Sequence, residues 1–229
     1  MSAGITGISS MATRQILAEL AGAYLQRSGV LVTFESAGGV DVAKRVETGE
    51  PFDVVVLAAD AIDMLVAARR VVANSKTDLV RSGVAIAVRA GAPPPDIGSE
   101  KALRCAVLSA STLGYSTGPS GVALTKLFER WGIADTVRDR LVQAPPGVPV
   151  GQLVASGEVE VGFQQLSELI YLPGIDVLGP LPPGSEIITM FSAGLCATST
   201  QPEAVRSLLA FMTSPVAVDA KRRHGMEPA

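Results

Sequence analysis

Tyr115-Ser116-Thr117-Gly118-Pro119-Ser120-Gly121, followed by an amphipathic run over 122–131, gathers hydroxyls, glycines and a helix start in one short stretch. The chemistry it offers is anion binding. Pro119 suits a first helical turn because its missing N–H is not needed there. The free N–H groups of that turn, with the positive end of the helix dipole behind them, attract negative charge. Ser116, Thr117 and Ser120 add hydroxyl donors. The same residues also read as an ordinary cap on a surface helix. Two further turns, Ser9-Ser10 and Ser36-Ala37-Gly38-Gly39, have the same character, each following a strand and opening a helix. Few cationic residues lie near any of the three, so the pattern suggests a small anion held mainly by neutral donors. A fourth turn, Phe163-Gln164-Gln165-Leu166-Ser167-Glu168, puts two amides at a strand end. Gln165 can donate to a carboxylate through its NH₂ group. Helix capping or a buried hydrogen bond would use the two glutamines equally well.

The elements that must position these turns alternate. Apolar runs predict strands over 3–8, 31–35, 52–57, 83–88, 104–109, 159–164 and 175–178, with a long extended segment over 187–195. Apolar residues at helical spacing predict helices over 11–27, 40–48, 59–68, 122–131, 134–140, 148–156, 165–171, 202–213 and 215–224. Strand–helix alternation with short loops means βαβ units and a doubly wound α/β sheet. Ligands of such sheets bind beyond the carboxyl ends of the strands, where the four turns fall.

Composition narrows the function classes. Aromatic residues make up 4% of the 229, too few for a platform that stacks bases or sugars. A net charge of −3 argues against a nucleic-acid partner, which calls for a basic face. The two cysteines, Cys105 and Cys196, stand far apart in apolar surroundings and read as small buried hydrophobes. His224 is the sole histidine, which argues against a zinc site and against a serine–histidine triad. No metal or other cofactor is expected. No stretch reaches the roughly 20 apolar residues of a membrane span. The first residues lack the basic region and apolar core of a signal peptide, so the sequence as written reads as cytoplasmic, and as periplasmic if a leader has been removed.

Gly7-Ile8-Ser9-Ser10-Met11, the segment from Lys44 to Val54, Pro119-Ser120-Gly121 and Ala210-Phe211-Met212-Thr213-Ser214-Pro215 resemble, in order and spacing, the molybdate-binding-protein-like family of the type II periplasmic solute-binding fold. The resemblance spans essentially the whole chain. It implies two doubly wound, Rossmann-like lobes, over 1–80 plus 193–229 and over 81–192, joined by crossing strands, with an anion in the cleft between them. In that pattern the anion sites fall on Ser10, on Gly38-Gly39, on Ser120, on the backbone of Val148 and on Gln165. Two of these depart from the family. Gly38-Gly39 stands where a serine is usual and Gln165 where a tyrosine is usual. Less side-chain volume and a planar amide favour a larger, flat carboxylate over a compact tetrahedral ion, and Tyr115 and Ser116 add donors. Tyr115 to Gly121 and Gly162 to Glu168 resemble the branch of the family that contains aconitate isomerase.

An isomerase of that type moves a proton and a double bond along an unsaturated tricarboxylate, which needs a base and donors for the resulting charge. Glu168, Asp41 and Tyr115 are the candidate bases, in that order. Glu168 and Asp41 also read as a solvated helix-face carboxylate and an N-terminal helix charge. Arg81 is placed to clamp a second carboxylate, or to serve as a surface charge. The other classes open to this fold are the binding component of an ABC transporter, which would need a permease partner, and a non-catalytic cytoplasmic sensor.

Overall fold

The computed structural model describes residues 4–229, so Ala3, the expected start of the first strand, lies outside the described residues. Two compact units divide the chain, Met1–Arg81 with Met190–Ala229, and Ser82–Thr189. The first is built from β1 (Ile5–Ser10), α1 (Arg14–Ser28), β2 (Val32–Ala37), α2 (Gly39–Glu47), β3 (Val54–Ala58) and α3 (Ala59–Ala67). The chain then passes through β4 (Thr77–Arg89) into the second unit. There follow α4 (Glu100–Ser109), β5 (Leu113–Tyr115), α5 (Pro119–Arg130), α6 (Ala134–Val137) and β6 (Leu141–Gln143). α7 (Val150–Ser156), β7 (Val161–Gln165), α8 (Leu166–Leu169) and β8 (Ile175–Pro180) complete it. β9 (Ile188–Leu195) leads back to the first unit, which ends with α9 (Pro202–Thr213), α10 (Val218–Arg223) and β10 (Met226–Pro228).

In the first unit β1 pairs in parallel with β2 and β3, and β9 joins β3 antiparallel, from Val54 opposite Leu195 to Ala58 opposite Phe191. Every residue of β3 is buried, which accounts for its unbroken apolar sequence. One side packs with Leu17, Leu20, Leu208 and Met212 of α1 and α9, the other with Val42, Val46, Ile62 and Leu65 of α2 and α3. In the second unit β5 is parallel to β6 and β7, while β4 runs antiparallel to β7 and β8. Side chains alternate along β7. Val161 and Phe163 pack with Leu124 and Phe128 of α5, whereas a Cβ on Gly162 would strike Val154 and Val150 of α7.

The α/β class and the strand-to-helix turns are as expected, and several elements are corrected. The run 104–109 is not a strand but the second half of α4. Ser99 caps that helix by accepting the Ala102 N–H at 3.1 Å, and Leu103 and Val107, one turn apart, are its buried contacts. A short apolar run does not distinguish strand from helix; the cap does. The helix expected from residue 11 opens with a 3₁₀ turn, Met11–Thr13, as does the last one, over Pro215–Ala217. α7 begins at Val150, after Pro149, instead of Val148. β4 starts at Thr77, six residues before the apolar run that announced it, and β5, which leads into the Tyr115 turn, β6 and β10 were not expected. Cys105 is exposed on α4; only Cys196 is buried, where burial and the nearby Asp53 push its thiol up to about 12.

Asp53, just before β3, ties three segments of the first unit together. Its Oδ1 accepts the Ser199 hydroxyl at 2.6 Å. Its Oδ2 accepts the Thr6 N–H at 2.9 Å, the Thr6 hydroxyl at 3.1 Å and Gln201 Nε2 at 3.1 Å. Burial raises the carboxyl, but the hydrogen bonds from Ser199, Thr6 and Gln201 outweigh it and hold Asp53 below the usual range. Its stabilisation is therefore present above the usual carboxyl pKa and lost as pH falls through the depressed one. Asp53→Ala should cost about 2–4 kcal/mol in urea unfolding at pH 7, because it strands several donors. Glu35→Ala, which removes an exposed partner of Arg45, should leave the urea midpoint close to that of wild type.

Candidate anion-binding and acid–base site

In the first unit the parallel register sets Ser9 beside Ser36 and Ser10 beside Ala37, so both turns emerge at one end of the sheet. Ser9 is fully buried and its hydroxyl is 2.9 Å from that of Ser36, so the two are committed to each other. Ser10 is half-buried, extended at φ −62° and ψ 147°, and its side chain makes no cap bond. A Cβ on Gly39 would lie 4.0 Å from the Ser10 hydroxyl, so Ser10 stands directly against the first residue of α2. Gly38 caps α2 with an ordinary φ of −57°, so its glycine is not a conformational requirement. Asp41 is exposed in the first turn of α2, where its charge suits the helix dipole.

In the second unit Gly118 caps α5 and Pro119 occupies its first turn. The Ser116 and Ser120 hydroxyls are 3.0 Å apart; one donates to the other and the second proton is left for a ligand. This closeness depends on Gly121. A Cβ there would lie 1.8 Å from the Ser116 carbonyl oxygen and 3.0 Å from the Tyr115 ring. Glycine alone lets residues 115–116 fold over the start of α5. Tyr115 is half-buried and Thr117 is exposed. The backbone N–H of Val148 donates to Pro145 O at 3.0 Å, which leaves it engaged within its own turn. Arg81 is exposed on β4.

The two glutamines part company. Adjacent strand residues face opposite sides, so Gln165 lies on the α5 side of β7 and Gln164 on the α7 side. Gln164 is buried and used at both ends: its Oε1 accepts the Gly151 N–H of α7 at 3.2 Å and its Nε2 donates to Glu168 Oε1 at 3.0 Å. It is a cap and a carboxylate holder in one. Glu168 keeps some exposed surface, yet its carboxyl is desolvated. That desolvation raises it to about 7 against the lowering effect of the Gln164 hydrogen bond. Gln165 is 3% exposed; its Nε2 donates to the Thr189 hydroxyl at 2.8 Å.

Two buried side-chain atoms among the described residues lack a hydrogen-bond partner, Gln165 Oε1 and Ser82 Oγ. Each such orphan costs about 1–3 kcal/mol. Ser82 and Thr189 escaped the sequence reading. The signal was there in weak form, a hydroxyl just before one apolar strand run and another inside a second, but the pairing that brings them to Gln165 is long-range. A groove of about 540 Å³ in the first unit runs along α1 and β2, lined by Arg14, Leu25, Phe34 and Ser36, and does not include Ser10 or Gly39. Among the described residues no cluster of three or more histidines, cysteines or carboxylates could hold a metal, and no helix is long and apolar enough to cross a membrane.

With this geometry in view, comparisons with known proteins agree with the family read from the sequence. The model of a family described as bacterial extracellular solute-binding protein matches residues 5–227. An aconitate isomerase from a Pseudomonas species is 36% identical over 232 aligned positions, covering 98% of this chain and 87% of that protein. The periplasmic molybdate-binding protein of Azotobacter vinelandii superposes with a TM-score of 0.81 at 18% identity, over 97% of this chain and 98% of its own. The sulfate-binding protein SubI of Mycobacterium tuberculosis gives 0.81 at 19% identity, over 100% and 88%. These two structural likenesses establish the fold.

Proposed function

Because the chain belongs to the bacterial extracellular solute-binding protein family, we propose that it binds a small carboxylate anion and isomerises it, moving a proton and a double bond along an unsaturated tricarboxylate. The observation that carries this reading is the identity to aconitate isomerase, which spans nearly the whole chain. The reaction breaks a C–H bond next to the double bond, shifts the double bond through a dienolate, and returns a proton to the far carbon. Atoms and electrons balance with no oxidant or reductant.

Glu168 is the base in this reading. A carboxyl raised to about 7 is largely ionised just above neutrality, yet basic enough to take a carbon acid's proton. Gln164 keeps it oriented. The Ser116–Ser120 hydroxyl pair, the start of α5 and the amide of Gln165 are the neutral donors for the developing charge. Asp41 and Tyr115 are the weaker nominees, Asp41 because it is exposed at a helix start.

Purified protein incubated with cis- or trans-aconitate should change the absorbance of the conjugated acid, and in D₂O the product should carry one deuterium. The second reading, a receptor for an oxyanion such as molybdate working with an ABC permease, is favoured by the family's own description. No turnover together with tight molybdate binding by calorimetry would overturn the isomerase and leave the receptor.

A further inference from the structure

We propose that Ser82, Gln165 and Thr189 form a buried subsite for one carboxylate oxygen of the ligand, with Ser82 and Gln165 as donors and Thr189 as the residue that positions Gln165. The inference rests on the anion-binding reading above and adds Ser82 and Thr189 to it.

Strand pairing within the second unit brings the three together. Gln165 stands opposite Val84 in the β4–β7 ladder. The Val84 N–H donates to Ile187 O at 2.9 Å, and carrying that antiparallel register two residues along sets Ser82 beside Thr189. The period of two puts all three side chains on one face, and the Gln165–Thr189 hydrogen bond at 2.8 Å agrees with that placement. Ser82 is 0% exposed, Gln165 3% and Thr189 8%. Buried polar atoms are almost always paired. By that register the two without a partner, Ser82 Oγ and Gln165 Oε1, belong to side chains on the same face.

The chemistry of the patch selects its occupant. The Thr189 hydroxyl has one proton and two lone pairs, so it bonds equally well to either end of an amide. Rotating the Gln165 amide half a turn keeps the bond, now from the Thr189 O–H to Gln165 Oε1, and turns the NH₂ group toward the unpaired side. The patch then offers two donors, the Ser82 O–H and a Gln165 N–H, and one anionic oxygen answers both. Both atoms are closed to solvent in this structure, so capture includes an opening of the packing around them.

The test titrates propane-1,2,3-tricarboxylate, which has no double bond to move, into wild type, Ser82→Ala, Thr189→Val and Thr189→Ser by calorimetry, with melting temperatures alongside. Ser82→Ala and Thr189→Val are expected to bind about ten- to a hundredfold more weakly. Thr189→Ser, which keeps the hydroxyl, should stay within about threefold of wild type. Ser82→Ala should melt no lower than wild type, because it deletes an orphan. Wild-type affinity in Ser82→Ala and Thr189→Val overturns the subsite and leaves the isomerase reading standing. If wild type binds molybdate but not the tricarboxylate, the carboxylate reading fails. The same variants titrated with molybdate then decide the subsite, and unchanged affinity overturns it. Should Ser82→Ala melt lower, the contrast between Thr189→Val and Thr189→Ser decides, and equal affinities overturn the proposal.

Discussion

Glu168→Gln should cut the turnover of aconitate by about 10²–10⁴-fold while leaving tricarboxylate binding within a few-fold of wild type. The substitution keeps shape and the possibility of a hydrogen bond to Gln164, and removes only the ability to take a proton. In wild type the base must be ionised, so kcat/KM is expected to climb tenfold per pH unit below about 7 and level off above it. The variant should show a low, flat profile. Stability should move the other way. A carboxyl raised in the folded state favours folding below its unfolded value, and that benefit fades as pH rises toward 7. Above pH 7 wild type holds a poorly solvated charge, so Glu168→Gln should be the more stable protein there by about 1–3 kcal/mol, with no gain at pH 4. A variant that keeps full turnover removes Glu168 from the mechanism. One that loses both turnover and stability at pH 8 indicates that Glu168 is part of the packing instead.

Gly121→Ala should be the most damaging single methyl in the second unit. The added carbon would meet a backbone carbonyl at 1.8 Å, and no side-chain rotation relieves a clash between two backbones. Residues 115–116 must lift off α5, which separates the Ser116 and Ser120 hydroxyls and uncovers the Tyr115 ring. A destabilisation of about 2–4 kcal/mol is expected, seen as a melting temperature several degrees lower, with anion affinity down at least about a hundredfold. Gly22→Ala is the counterpart of opposite sign. Gly22 lies inside α1 with nothing within 4 Å of an added Cβ, so alanine should stabilise by up to about 1 kcal/mol. If the two variants behave alike, the close approach at Gly121 is not what holds the turn.

Much of this was legible because turn chemistry is local. Ser9-Ser10, Gly38-Gly39 and Pro119-Ser120-Gly121 each announce a strand end and a helix start within a few residues, and each is found there. α4 was misread because Arg104 to Ser109 is short and mostly apolar, and the deciding Ser99 cap lies outside the run. The division between Gln164 and Gln165 depends on β7 staying extended through Gln165, a boundary set by tertiary packing. Ser82 and Thr189 could not be joined from sequence at all. Their proximity is a product of strand register across more than a hundred residues, and single-sequence periodicity carries no register.

The first unit is discontinuous, and synthesis order gives that a meaning. β3 leaves the ribosome early, yet its antiparallel neighbour β9 is some 130 residues downstream. At ~5–20 residues per second, β3 waits roughly 7–26 s with one edge unpaired. Its sequence, Val54-Val55-Val56-Leu57-Ala58, is the kind of apolar, uncharged edge that pairs with other chains. The second unit, continuous in the chain, can complete itself during that interval. The nascent protein therefore passes through a stage with a finished half and an open sheet, and it is there, not in the mature fold, that it is most exposed to aggregation.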